Sequence, residues 1–119
     1  MRFLKFWFPV LVYSGIIFYV SSMPSLKPTD IAHLDKVLHL IEYAPFGFLL
    51  ARAITLSGHV SSKNAILALV MAGCFLYGLS DEYHQSFVIG RESSFLDVLA
   101  DFIGGSVGAV LYPIFKFKH

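Results

Sequence analysis

The segment SDEYHQSFVIGRESSFLDVLAD, residues 80–101, is strongly polar although apolar runs flank it on both sides. It contains five of the eight acidic residues in the chain: Asp81, Glu82, Glu92, Asp97 and Asp101. A second polar group opens another apolar segment and consists of Asp35, Lys36, His39, Glu42 and Tyr43. Ionisable side chains next to long apolar segments are costly in contact with lipid. We therefore expect the two sets of polar residues to face each other inside the protein.

The composition indicates a membrane protein. Of the 119 residues, 56% are hydrophobic and 14% are charged, and the mean hydropathy is +0.69. Soluble domains carry about 25% charged residues, so a soluble fold would have too few polar groups for its surface. A formal net charge of +1 gives no reason to expect a nucleic-acid partner. The single cysteine, Cys74, lies within an apolar run and offers neither an intramolecular disulfide nor a cysteine metal site.

Four apolar segments approach the length that a helix needs to cross a bilayer, at residues 4–22, 36–57, 64–81 and 96–115. We predict an all-α membrane protein with one domain, residues 1–119, whose four transmembrane helices form an antiparallel up-down bundle. A signal peptide is the alternative for the first segment, which has a basic start and an apolar middle. The segment is long and aromatic, however, and no small-x-small cleavage site follows it.

Two glycines of the fourth segment, Gly104 and Gly108, form a small-xxx-small pair. Such pairs let another helix approach closely. The pattern does not distinguish a helix of the same chain from a helix of a partner, such as a second copy in a homo-oligomer.

The basic residues predict the orientation. Four spans place both termini on one side of the membrane, and that side collects six of the nine cations: Arg2, Lys5, Arg52, Lys63, Lys116 and Lys118. The other side collects the remaining three cations and all eight acids. The positive-inside rule then places both termini in the cytoplasm and the acids at the outer face.

Helical spacing aligns the polar residues. Asp35, His39 and Glu42 follow i, i+4, i+7 spacing and share a face of the second helix. Asp97 and Asp101 are four residues apart and continue the line of the glycines in the fourth helix. We therefore expect three helices to direct polar groups to a shared site near the outer surface.

This site offers acid/base groups, an anion-binding guanidinium and oxygen or nitrogen ligands for a cation. The candidate catalytic residues are Glu82, His84, His39 and Asp81. The candidate binding residues are Arg91, Lys36, Tyr43, Gln85, Asp97, Asp101, Glu42 and Asp35. The spacing is not diagnostic of a metal, so the cofactor stays open, and no phosphate loop, H-E-x-x-H motif or activated serine signature is present.

Structural alternatives exist for several of these residues. Asp97 and Asp101 also suit ion pairs with Lys36 and Arg91 that only hold helices together. His39 and His84 also suit neutral hydrogen-bonding roles, and Tyr43 is of a type that anchors helices at the membrane interface.

The combined motifs resemble the VanZ family. They are Asp35-Lys36-x-x-His39-x-x-x-Tyr43 with Gly47, then residues 80–87, Gly90-Arg91, Asp97, and Asp101-x-x-Gly104. The resemblance covers about residues 20–110, and Asp101 departs from it because Asn is frequent there. It implies a small multi-span protein of the bacterial inner membrane, and its founding member is associated with low-level resistance to the glycopeptide teicoplanin.

Three functions follow as hypotheses, and whether the protein is an enzyme stays open. The first is action on an envelope lipid or a teicoplanin-like amphiphile at the outer leaflet, with resistance or a housekeeping envelope role. The second is binding or transport of an ion or small solute. The third is a structural role beside another membrane protein. Membrane lipids are the expected surroundings in each case.

Overall fold

The computed structural model of the chain is all-helical in the residues that it describes. These are residues 2–22, 32–60, 62–88 and 95–116, with side chains described for 4–20, 22, 37–60, 62–88 and 95–113. Four helices account for most of them: α1 (Arg2–Ser21), α2 (Ala32–Ser57), α3 (Lys63–Gln85) and α4 (Phe95–Lys116). The predicted all-α class is confirmed, and no strand occurs in the described part of the chain.

Three of the helices are long and apolar enough to cross a membrane. The qualifying segments are Val37–Ser57, Lys63–Gln85 and Phe95–Pro113. The apolar part of α1, Leu4–Val20, is shorter at 17 residues. Length and composition therefore support three spans, against the four that the sequence predicted.

The helix ends have local causes. Ser62 caps α3, since its side-chain oxygen accepts a hydrogen bond from the backbone N–H of Ala65 at 3.3 Å. Gly58 follows the last residue of α2 with φ of +80°, a left-handed conformation that glycine adopts without strain and that ends helices. Pro9 and Pro45 lie inside α1 and α2, where neighbouring helices can satisfy the freed backbone groups.

Side-chain contacts define the directions of the helices. Tyr43 and Phe46 of α2 meet Asp81 and Tyr77 of α3, so the two helices run antiparallel.

Between α2 and α4, the order of contacts is the same in both helices. Leu40 lies against Gly104, and Ala44 lies further along against Gly108, so these helices run parallel. These directions are those of an up-down bundle.

Glycines set the closest helix contact, which joins α2 and α4. A Cβ atom built on Gly104 would overlap the Leu40 carbonyl group, and one built on Gly108 would overlap that of Ala44. Gly47 of α2 meets the backbone of Gly105 in the same way. The close approach predicted from Gly104 and Gly108 is thus a contact within the chain.

The bundle is apolar on the outside. Large exposed hydrophobic side chains occur on every helix, among them Phe8, Ile41, Leu76 and Ile103. A soluble protein rarely exposes such an apolar surface, whereas lipid tails would cover it. Charged and polar groups are instead gathered in part of the interior.

Candidate functional site

A group of buried polar side chains lies between α2, α3 and α4. It is close to the end of the bundle where α1 and α3 end and α2 and α4 begin, which we call the site end. The group, called the polar cluster below, consists of His39, Tyr43, Asp81, Glu82, Gln85, Asp97 and Asp101, and each of these is at most 5% exposed. Asp101 lies six residues after the start of α4, or about 9 Å along its axis.

The Nδ1 atom of His39 is hydrogen-bonded to the carboxylate of Asp101. Its Nδ1 lies 2.7 Å from Oδ1 of Asp101, which is 0% exposed. An ionised carboxylate can only accept a hydrogen bond, so Nδ1 donates and the ring is fixed in orientation. The other nitrogen, Nε2, lies 3.7 Å from Oδ2 of Asp97, which is beyond hydrogen-bond distance.

Glu82 completes a compact group with the same histidine. One ligand atom each from His39, Glu82 and Asp97 lies within 4.8 Å of the other two, and all three residues are buried. These residues come from α2, α3 and α4, respectively, and so from three different helices. The arrangement is therefore a product of the tertiary fold.

Tyr43 links the second helix to the third. Its hydroxyl donates to Oδ2 of Asp81 at 3.2 Å, and the ring is 0% exposed. A tyrosine that anchors a helix at the membrane interface would expose its ring edge to the interface. That alternative for Tyr43 is wrong, because the ring is fully enclosed by protein.

Asp101 also contacts α3. Its Oδ2 atom is buried and has no hydrogen-bond partner within the described residues. A Cβ atom built on Gly78 would lie 3.0 Å from this oxygen, so the absence of a side chain there makes room for the carboxylate. Gly78 is thus a part of the site that the sequence analysis did not identify.

His84 lies apart from the polar cluster. Its ring stacks on Phe18 of α1 with centroids 4.3 Å apart, and its Nε2 lies 2.8 Å from Oγ of Ser22. Since the Ser22 hydroxyl lies 2.9 Å from the Phe18 carbonyl oxygen and donates to it, His84 is the donor to Ser22. His84 was expected to share one site with Glu82, but the two side chains face different surroundings, because positions two apart point to different sides of a helix.

Of the remaining predicted site residues, only Glu42 has a described side chain. Glu42 is half-buried, and its backbone carbonyl accepts a hydrogen bond from the Tyr13 hydroxyl at 2.5 Å, which places this turn of α2 beside α1. Asp35 and Lys36 lie in α2, but their side chains are outside the described residues. Arg91 is outside them altogether.

A shallow apolar groove lies on the outer surface of α2 and α4. Its walls include Leu40, Ile41, Phe48, Leu49 and Leu111. Leu40 directly follows His39 in the chain, so the groove begins at the level of the polar cluster and extends away from the site end.

Fold and site together define a small helical membrane protein with an acid–histidine cluster enclosed by three of its helices. The VanZ/LLP1 family model matches residues 3–116, nearly the whole chain, and the chain therefore belongs to the VanZ/LLP1 family. The resemblance predicted from the motifs is thus confirmed. No curated protein and no solved structure matches the chain significantly.

Proposed function

We propose that this chain is a multi-pass protein of the bacterial inner membrane that acts on an envelope lipid or a glycopeptide-type amphiphile at the outer leaflet. Resistance of cells to teicoplanin is the phenotype by which this proposal can be tested. Family membership supports this proposal, as do the three membrane-length helices. The excess of lysine and arginine at the other end of the bundle supports an outward-facing site end, with both termini in the cytoplasm.

We include α1 as a fourth span. Its 20 residues extend about 30 Å, which matches the hydrocarbon thickness of a bilayer. It also packs along α2 and α3, through the hydrogen bond of Tyr13 to Glu42 and that of Tyr77 to the Ser14 carbonyl. Its length and these contacts support our proposal that α1 crosses the same membrane beside α2 and α3.

The observation that carries the proposal is the burial of four carboxylates in one cluster with the His39 imidazole. Asp81, Glu82, Asp97 and Asp101 are each at most 5% exposed. Ionisable groups at membrane depth are costly, and where they occur they mark substrate or ion sites. The two glycine contacts of α4 with α2 already hold these helices together without the cluster, so packing alone does not explain it.

The groove between α2 and α4 supports a lipid-like substrate. A polar head group at the site end would lie beside the helices that enclose the cluster, while an acyl chain would lie along Ile41, Phe48 and Leu111. Lipid tails surround this face of a membrane protein, so the groove would take a chain without desolvating polar groups. The substrate therefore has a polar head and a long apolar tail, as envelope lipids and lipoglycopeptides do.

Transport is the less favoured function. Beyond the cluster, the bundle interior is filled with Val70, Cys74, Ala51, Ala53 and Ala109, all buried. In the described part of the interior these residues offer no polar path to the other side. A purely structural role at a partner protein has no specific support from the described contacts.

The test is a teicoplanin susceptibility assay in a sensitive bacterial host. The host expresses the unaltered chain, Glu82→Gln, Asp97→Asn or the control His59→Gln, and immunoblots of membranes verify equal accumulation. His59 is an exposed residue of the α2–α3 connection, remote from the cluster. We expect the unaltered chain and His59→Gln to raise the inhibitory concentration and both amide variants to lose most of that increase.

Two results would contradict the proposal. If the unaltered chain leaves teicoplanin susceptibility unchanged at verified expression, the resistance function is wrong. If both amide variants protect as well as the unaltered chain, the buried carboxylates are not the site of action.

A further inference from the structure

We propose that the polar cluster binds one divalent cation, of the Zn²⁺ or Mn²⁺ kind, through His39, Glu82 and Asp97. The proposal rests on the proposed function in that it assigns a ligand to the same site. It also stands on its own geometry.

The first argument is the ligand set. One imidazole and two carboxylates offer a nitrogen and two oxygens within 4.8 Å of one another. Ligand atoms on opposite sides of a transition metal are about 4.2 Å apart, so small side-chain rotations bring all three into one coordination sphere. The imidazole ligand favours a transition metal such as zinc over calcium or magnesium, and the two carboxylates also suit manganese.

The second argument is the state of His39. Its Nδ1 lies 2.7 Å from the Asp101 carboxylate, and in a neutral imidazole that donates to this carboxylate, Nε2 is the nitrogen that can bind a metal. Nε2 lies 3.7 Å from Oδ2 of Asp97, a separation that one cation bound to both atoms would bridge. A carboxylate that fixes the far nitrogen of a histidine is also the usual outer-shell partner at metal sites.

The third argument is charge. Asp101 Oδ2 is fully buried without a hydrogen-bond partner in the described chain, although the residue belongs to a cluster with four carboxylates. Burying negative charge is costly unless hydrogen bonds or a cation compensate it. A divalent cation held by Glu82 and Asp97 would lower the potential at Asp101 as well.

The experiment uses the full chain, purified in detergent, stripped with a chelator and dialysed against Zn²⁺ or Mn²⁺, with Mg²⁺ for comparison. Bound metal per chain is measured by mass spectrometry, and affinity by calorimetry. The variants are His39→Gln, Glu82→Gln and Asp97→Asn, with His59→Gln as the matched histidine control. Size-exclusion profiles and helical circular dichroism select folded protein, and Asp101→Asn adds a variant that keeps the hydrogen bond to His39.

We expect about one Zn²⁺ or Mn²⁺ per unaltered chain and per His59→Gln chain. Each ligand variant should lower affinity at least tenfold, and Asp101→Asn should lower it about 10- to 100-fold, as outer-shell changes do. Metal should also raise the unfolding temperature of the unaltered chain and leave that of Glu82→Gln unchanged.

Stoichiometry well below one, or equal metal content in the unaltered chain and a folded Glu82→Gln, would overturn the inference. In that case a basic side chain such as Lys36 or Arg91 supplies the positive charge. The outcome is separate from the proposed function, since loss of teicoplanin protection in Glu82→Gln without metal binding refutes the cation alone. Metal binding without any protection refutes the resistance function alone.

Discussion

The two halves of the bundle interior differ in what holds them together. In the half away from the site end, small and apolar side chains such as Cys74, Ala51 and Ala109 fill the space between closely approaching helices. At the site end, the same helices enclose His39 and Asp101, hydrogen-bonded to each other. The first half shows that this fold can pack without buried charge, so packing alone does not require the buried charges of the polar half.

The largest effect is expected where helices approach most closely. Gly108→Leu would drive a side chain into the Ala44 carbonyl and the backbone of α2, since even a Cβ overlaps there. We expect a loss of more than about 4 kcal/mol in the free energy of unfolding and little folded protein in membranes. Gly15→Leu is the matched control, because a Cβ at Gly15 has no atom within 4 Å. Fluorescence-detected size-exclusion would measure both, and a stable, abundant Gly108→Leu protein would refute the α2–α4 contact.

The next effect separates charge from hydrogen bonding in the polar half. Asp101→Ala removes the partner of His39 and leaves a buried polar group unsatisfied, at a cost of about 3 kcal/mol. Asp101→Asn keeps an acceptor for the histidine and should cost less than half as much. Unfolding in graded SDS would compare the two, and equal losses would show that the hydrogen bond is not the stabilising interaction.

Two buried tyrosines, one in each half of the bundle interior, allow the polar and the apolar half to be compared by the same substitution. Tyr43→Phe removes the hydroxyl that donates to Asp81, and side-chain hydrogen bonds in membranes contribute about 0.6 kcal/mol. Tyr112 lies in the apolar half, where its ring packs edge-on against Phe48. We expect Tyr43→Phe to destabilise the protein more than Tyr112→Phe in the same SDS titration. The reverse order would mean that the Tyr43–Asp81 bond is not made.

The smallest effect is expected at the periphery of the site end. Ser22→Ala removes a hydroxyl that contacts His84 and the Phe18 carbonyl on an exposed surface. Exposed contacts of this kind change stability by about 0.5 kcal/mol or less. Teicoplanin protection should be unaffected, and a loss comparable to that of Glu82→Gln would move the site from the cluster toward His84.

Much of the architecture could be predicted because it depends on local patterns. Apolar length predicted the membrane-length helices, and the spacing of Gly104 and Gly108 predicted a close contact. The spacing of Asp97 and Asp101 also predicted that both point inward, as their burial shows. Such features follow from the period of a single helix.

The partners of each side chain could not be predicted, because they depend on how the helices rotate against one another. Glu82 and His84 are close in sequence and were expected in one site, but α3 turns Glu82 to the interior and His84 to α1. Likewise, Gly78 has significance only because Asp101 lies opposite it on α4. The spacing of residues within α3 does not show which side chain of another helix will lie next to His84 or Gly78.

A double-mutant cycle on His39 and Asp101 tests the central claim most directly, namely that residues 62 positions apart share one buried site. Unfolding free energies are measured in SDS with chelator present for the unaltered chain, His39→Ala, Asp101→Ala and the double variant, since both alanine substitutions remove the hydrogen bond. The account predicts a coupling energy of about 0.5–3 kcal/mol, as for residues in direct contact. Losses that add to within about 0.3 kcal/mol would contradict it, because distant and independent residues behave in that way.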